Sequence, residues 1–105
     1  MNPFHLAIPV KNLSLTRAFY KEVLECSEGR SSKEWVDFDF FGHQLVLHQK
    51  SDLSISNRLE SNEVDGHDVP IPHFGVVLDW GDWVRLSERL KAQQIEFVIA
   101  PYIRF

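Results

Sequence analysis

Apolar and polar residues alternate along two neighbouring segments of the chain, and an alternation of period two predicts β-strands. The first is WVDFDF at residues 35–40. Its apolar residues at every second position alternate with a second set on the other face, namely Trp35, Asp37 and Asp39. In the second, residues 44–48, Leu45 and Leu47 share one face and Gln44, Val46 and His48 share the other. Gly42 lies between them and favours a turn. The pattern therefore predicts a two-faced hairpin with its apolar face against a helix.

Two further segments show the spacing of amphipathic helices. In the first, Asn12 or Ser14 is the candidate N-cap, and the apolar residues at helical spacing are Leu15, Ala18, Phe19 and Val23. In the second, Asp79 or Asp82 is the candidate N-cap, and the predicted buried stripe is Trp83, Leu86 and Leu90. Each helix is expected to cover one face of a sheet.

A near-repeat links the two halves of the chain. FHLAIPV at residues 4–10 is echoed by PHFGVVL at residues 72–78, and a helical pattern follows each copy. Strand alternation groups His5 with the small residues Ala7 and Pro9, and it groups His73 in the same way with Gly75 and Val77. Two equivalent imidazoles can then converge on one cavity as metal ligands. Taken singly, each is better explained as a strand histidine hydrogen-bonded to a neighbour, and only their matching positions in the repeat favour a metal site.

The elements assemble into one domain made of two similar units. Residues 1–50 form a strand, a helix and three strands, the first of these three covering residues 28–30. Residues 51–71 are predicted to be a connection, because they are polar with few apolar anchors. Residues 72–105 form a partial second unit that ends with a strand at 96–99. The predicted class is α+β, with a βαβββ unit and a truncated second copy of it.

Composition excludes several functions. The net charge is −4 and the eleven basic residues are scattered, which argues against a nucleic-acid partner. The sequence shows neither a signal peptide nor a long apolar run, so we expect a cytoplasmic protein without membrane contact. A single cysteine, Cys26, excludes an intramolecular disulfide and is typical of a small buried hydrophobe.

The His5 strand, the helix RAFYKEVL at 17–24, the hairpin from Asp37 to His48 and the HFGV strand at 73–76 resemble the vicinal oxygen chelate superfamily. This is the group of glyoxalases, bleomycin-resistance proteins and extradiol dioxygenases. The resemblance covers essentially the whole chain and implies paired βαβββ units around a divalent metal. It implies His5 and His73 as metal ligands, with His48 third and Gln44 a weaker match on the same face as His48.

The same resemblance implies a carboxylate ligand on a final strand, which would lie beyond Phe105. Either the chain is a fragment or a second chain completes the sheet. Because unpaired strand edges promote association, we expect a homodimer. Two imidazoles and a carboxylate suit iron, manganese or related ions such as zinc or nickel. A protein of this fold without any metal remains the alternative.

Three functions are compatible with these residues. The first is a metal-dependent glyoxalase or dioxygenase whose small substrate chelates the metal through adjacent oxygens. The second is a metal-free protein that binds a small molecule, and the third is an inactive truncated homologue. Gln44, Asp37 and Trp35 are candidate substrate contacts if their strand face lines the cavity. Otherwise Asp37 and Asp39 are the solvated side of an edge strand. No catalytic residue is assigned.

Overall fold

A computed structural model describes residues 2–52, 60–64 and 67–103, with residues 60–64 and 67–69 described by their backbone alone. The chain divides into two compact units, Met1–Ser54 and Ile55–Phe105. Each unit has its own sheet and is described by itself.

The first unit is a strand, a helix and three strands, as the sequence predicts. Its elements are β1 (His5–Val10), α1 (Leu13–Ala18), β2 (Ser27–Ser31), β3 (Trp35–Phe40) and β4 (His43–Gln49). The four strands form one sheet in the order β1-β4-β3-β2. Strand β1 runs parallel to β4, whereas β3 is antiparallel to both β4 and β2. The central strands β4 and β3 therefore carry the residues expected to build a site.

The alternation of β3 and β4 sorts their side chains as predicted. Val36 and Leu47 are 0% exposed and stand opposite each other in the β3–β4 register. With them, the buried cluster of this unit contains Val10, Leu13, Cys26, Phe38 and Leu45. Burying such side chains stabilises the fold by roughly 1.5–3 kcal/mol each. One face of the sheet is thus the core, and the other is left for polar residues.

Helix α1 begins one residue after Asn12, whose side-chain oxygen accepts a hydrogen bond from the backbone N–H of Leu15 at 3.1 Å. Of the two predicted caps, Asn12 is the one used. The prediction that Leu15 faces the core is wrong, since Leu15 is 71% exposed and Leu13 is buried instead. Residues two apart on a helix point about 200° away from each other, so only one of these leucines can reach the core. The helix continues as a π-helical turn, Phe19–Val23.

The second unit contains a hairpin and a helix. Strands β5 (Glu60–Val64) and β6 (His67–Ile71) pair antiparallel, and α2 spans Trp80–Ala92. The carboxylate of Asp79 accepts a hydrogen bond from the backbone N–H of Asp82 at 2.9 Å. Asp79 is therefore the N-cap, and Asp82 lies in the first turn.

Two expectations for the second half of the chain are wrong. The segment expected to be a plain connection contains β5 and β6, and the strands expected at 72–78 and 96–99 are not formed. A strand exists only where a neighbouring backbone completes its hydrogen bonds. In the part of the chain that the structure describes, the polar segments 60–64 and 67–71 pair as two strands of one sheet. The more apolar segment 73–79 pairs with no strand there. His73 therefore follows β6 and does not begin a strand as His5 does.

Candidate functional site

The strand register places several polar side chains next to one another on the outer face of the first sheet. His5 is the first residue of β1 and pairs with Gln44 of β4, which in turn pairs with Asp39 of β3. Directly paired residues have side chains on the same face of a sheet, close enough to interact. His5 and Gln44 are both exposed. This face is opposite to the core, as the alternation predicts.

Hydrogen bonds connect three of these side chains. His5 Nδ1 lies 2.8 Å from Gln44 Oε1, and Gln44 Nε2 donates to Asp37 Oδ2 over a longer 3.4 Å. We call His5, Gln44 and Asp37 the polar row. The sequence predicted each of them as a candidate contact, but it gave no sign that they touch one another.

Asp37 is the unexpected member of the polar row, because it is buried, with 7% of its surface exposed. The prediction that Asp37 and Asp39 form a solvated pair is therefore wrong for Asp37. Asp39 is exposed, and its Oδ1 accepts a hydrogen bond from the backbone N–H of Gly42 at 2.7 Å, within the turn before β4. Of the two carboxylates, one holds a turn and one is enclosed beside Gln44.

Gly29 explains how a carboxylate fits there. A Cβ added at Gly29 would overlap Asp37 Oδ1. The Asp37 carboxylate therefore fits beside β2 only because residue 29 is a glycine. The β2–β3 pairing is irregular at this point, between Glu28 and Ser31. Asp37 Oδ1 itself has no hydrogen-bond partner among the residues that the structure describes. Sequence reasoning missed Gly29, although a glycine inside a strand is a known sign of close backbone approach.

A cavity of about 290 Å³ lies beside the polar row. Its lining includes Gly29, Asp37, Asp39, His43 and Gln44. The volume is at the small end of the range for ligand pockets. His43 is half-buried, and its Nδ1 accepts a hydrogen bond from the backbone N–H of Phe4 at 2.8 Å. His43 therefore fastens the start of β1 to β4.

His48 and Trp35 lie in a different part of the same face. His48 pairs in register with Pro9 on one side and with Trp35 on the other. His48 is exposed and lies four positions along β4 from Gln44, roughly 13 Å along a strand. The register brings His5 and Gln44 together, but it does not bring His48 into the polar row.

Cys26 and an ion pair between α1 and β2 have structural roles. Cys26 belongs to the buried cluster, and burial raises the pKa of its thiol, with a smaller contribution from Asp39. A buried thiol of raised pKa is a poor nucleophile, in agreement with the prediction that it serves as a small hydrophobe. Arg17 of α1 and Glu28 of β2 form a two-pronged ion pair, with distances of 2.5 and 2.8 Å.

Comparison with known proteins identifies the architecture. No family model and no curated protein sequence matches the chain. Among solved structures, a glyoxalase/bleomycin resistance protein/dioxygenase from Alicyclobacillus acidocaldarius is 31% identical, with a TM-score of 0.69. The match covers 92% of this chain and 67% of that one. The chain belongs to the glyoxalase/bleomycin resistance/dioxygenase family, within the vicinal oxygen chelate superfamily.

More distant members share the fold. A lactoylglutathione lyase from Agrobacterium tumefaciens is 20% identical with a TM-score of 0.60, over 93% of this chain and 74% of that chain. The fosfomycin resistance protein FosX from Listeria monocytogenes is 19% identical with a TM-score of 0.65, over 98% and 75%. These matches confirm the predicted α+β class of the glyoxalase/bleomycin-resistance fold.

The metal site implied by this family is not assembled by the residues at hand. Across residues 2–52, 60–64 and 67–103, no three His, Cys, Asp or Glu side chains come together in a group that could hold a metal ion. His73 is exposed and lies in the second unit, where its Nδ1 is 2.7 Å from the backbone oxygen of Pro70. Within the first unit, His5 is accompanied by an amide and one enclosed carboxylate. The donor set falls short of the three ligands that such sites require.

The described part of the chain contains no helix that is long and apolar enough to span a membrane.

Proposed function

We propose that this member of the glyoxalase/bleomycin resistance/dioxygenase family binds a small molecule on the outer face of its first sheet. The polar row of His5, Gln44 and Asp37 beside the 290 Å³ cavity is the observation that supports the proposal. Ligand sites commonly combine a concave surface with a few polar groups fixed by hydrogen bonds. Here the backbone register holds the polar groups in place before any ligand arrives.

The polar row offers a ligand several different contacts. An imidazole is exposed at one end, an amide lies in the middle, and a carboxylate lines the cavity at the other end. Asp39 and His43 add further polar groups to the cavity wall. A small ligand that hydrogen-bonds to more than one of these groups would be oriented as well as bound.

A fragment screen followed by nuclear magnetic resonance tests this proposal. Ligands are detected by chemical-shift changes of backbone amides in ¹⁵N-labelled protein. We expect ligands whose shift changes cluster at Asp37 and Gln44, and Gln44→Ala should weaken them several-fold, because one hydrogen bond contributes about 0.5–1.5 kcal/mol.

Gln93→Ala is the matched control, since Gln93 is an exposed glutamine at the end of α2. It should leave the affinity unchanged. Ligands that consistently map away from the polar row, or that bind Gln44→Ala as tightly as the unaltered protein, would contradict the proposal.

A metal-dependent enzyme of the glyoxalase or dioxygenase type is the second candidate. It is supported by the contact between His5 Nδ1 and Gln44 Oε1, because metal-binding histidines usually have their other ring nitrogen held by a hydrogen bond. In this candidate His5 and His73 are ligands and Fe, Mn, Zn or Ni is the metal, and His48, the third ligand implied by the sequence, would have to lie closer to His5 than the β1–β4 register holds it. Such an ion acts as a Lewis acid towards adjacent substrate oxygens.

Elemental analysis of the purified protein tests the metal candidate. This candidate predicts about one divalent ion per site, which His5→Ala and His73→Ala should each remove while the circular dichroism spectrum stays unchanged. Gln93→Ala is the control, since Gln93 is exposed at the end of α2 and lies outside the proposed ligand set. Equal metal content in all four proteins would reject His5 and His73 as ligands.

We also propose that the protein forms a homodimer. Several apolar side chains of the second unit are exposed, among them Val77 at 99% and Val98 at 91%. Both lie in apolar segments, 73–79 and 95–99, to which the described part of the chain gives no strand partner. A second copy would cover exposed apolar side chains of this kind.

A further inference from the structure

The hydrogen bonds of the polar row determine more than the position of His5. A neutral imidazole carries its proton on one ring nitrogen and a lone pair on the other, and these two tautomers offer a ligand opposite chemistry. His5 touches Gln44 through Nδ1. Which nitrogen carries the proton therefore depends on which end of the Gln44 amide faces it.

Asp37 decides the orientation of that amide. The amide nitrogen of Gln44, which can only donate, faces Asp37 Oδ2 at 3.4 Å, and that oxygen accepts its hydrogen bond. A rotated amide would place its oxygen against the carboxylate and lose this bond. With the nitrogen turned to Asp37, Gln44 Oε1 faces His5 and can only accept.

Asp37 cannot turn away to relieve this constraint. It is buried, and its second oxygen occupies the space where Gly29 lacks a Cβ. Its neighbours along β3, Val36 and Phe38, are anchored in the core. The orientation imposed by Asp37 is therefore fixed by the fold of the first sheet and needs no ligand.

We propose that Gln44 and Asp37 are positioning residues that hold neutral His5 in the tautomer protonated at Nδ1. Nε2 then carries the lone pair, so the outer face presents a hydrogen-bond acceptor to its ligand. This proposal deepens the proposed function and rests on it, since it concerns the same polar row. Free histidine in water favours the other tautomer, protonated at Nε2, so the polar row reverses the intrinsic preference.

The ¹⁵N chemical shifts of the His5 ring distinguish the two tautomers directly. They are measured on the full chain at about pH 9, above the ordinary pKa of imidazole, so that the ring is neutral. We expect the Nδ1–H form to predominate, because a hydrogen bond to Gln44 shifts the tautomer ratio by about tenfold. A ring that is mainly protonated at Nε2 would overturn the proposal.

Asp37→Asn is the decisive variant because it changes neither His5 nor Gln44. An asparagine can donate as well as accept, so the Gln44 amide is free to rotate and the Nδ1–H preference should fall by about tenfold. Asp39→Asn is the matched control, since it removes the same charge from the same strand while its carboxylate serves the turn at Gly42. It should leave the tautomer ratio unchanged.

Gln44→Met covers the case in which Asp37→Asn fails to fold, because Gln44 is exposed and methionine has similar length. It should also return His5 towards the Nε2–H form. A His5 tautomer that persists in both variants, or that changes equally in Asp39→Asn, would overturn the positioning role. Ligand binding at the polar row is measured separately, so it could persist under that outcome and leave the proposed function intact.

Discussion

Asp37 shows how a single residue can depart from the pattern of its strand. Alternation places it on the same face as Trp35 and Asp39, and that assignment holds. Its burial depends on Gly29, a residue of another strand whose missing side chain leaves the space. A period-two pattern predicts which face of the sheet a residue occupies. It does not predict whether the side chains of the neighbouring strand leave space for that residue to be buried.

Substitution of Gly29 tests this local arrangement. The new methyl group in Gly29→Ala would overlap Asp37 Oδ1, and overpacking of this kind costs about 1–3 kcal/mol of the free energy of unfolding. Gly75→Ala is the control, because a Cβ at Gly75 meets nothing within 4 Å, and it should change stability by less than about 0.5 kcal/mol. Urea unfolding gives both values.

The double variant Gly29→Ala/Asp37→Ala separates overlap from other effects of the alanine. Removing the carboxylate frees the space, so the two substitutions should be strongly non-additive. Strict additivity of their effects would show that Gly29 is needed for a reason other than room for Asp37.

Among the elements, the first unit could be predicted from sequence and much of the second could not. The alternation of 35–40 and 44–48 predicts both strands and their faces, because one face packs a core and the other does not. The hairpin of β5 and β6 carries no comparable pattern. The segment 73–79 has the composition of a strand, yet strand formation depends on a partner that composition cannot supply.

Leu47 of β4 and Leu15 of α1 form a matched pair of leucines for testing the core. Leu47 of β4 is fully buried, so Leu47→Ala should lower the free energy of unfolding by about 2–5 kcal/mol. Leu15→Ala removes the same atoms from an exposed position and should cost less than about 0.5 kcal/mol. Thermal or urea unfolding compares them, and a large loss from Leu15→Ala would mean that Leu15 is covered in the protein in solution.

The ion pair between α1 and β2 should make stability depend on pH. The hydrogen-bonded Arg17 guanidinium lowers the pKa of Glu28 below its ordinary value of 4.5. A carboxyl whose pKa is lower in the folded state stabilises the fold above its unfolded pKa, and this contribution is lost as the pH falls through the folded pKa. Arg17→Met should therefore be less stable than the unaltered protein at neutral pH, by a small amount because the pair is only partly buried and remains in contact with solvent.

Urea midpoints measured from pH 7 down to about pH 3 check this prediction. The difference between Arg17→Met and the unaltered protein should shrink as the pH falls below 4.5. Arg30→Met is the control, since Arg30 is an exposed arginine on the same strand as Glu28. A constant difference at every pH would assign the effect to packing of the Arg17 side chain.

For the whole molecule, the two units differ in how well they bury their apolar residues. The first unit encloses a contiguous cluster on one face of its sheet. In the second unit Val77, Trp80 and Val98 are each more than half exposed.

The proposed homodimer would cover these exposed side chains, and native mass spectrometry combined with light scattering at several concentrations tests it. We expect a dimer at micromolar concentration. Val77→Lys should shift the equilibrium towards monomer at least tenfold, because it replaces a fully exposed valine with a charge that an apolar interface would have to desolvate. Ser14→Lys adds the same charge at an exposed polar position and should leave the dimer intact. A protein that stays monomeric at every concentration would reject the dimer, and an equal effect of both lysines would move the interface away from Val77.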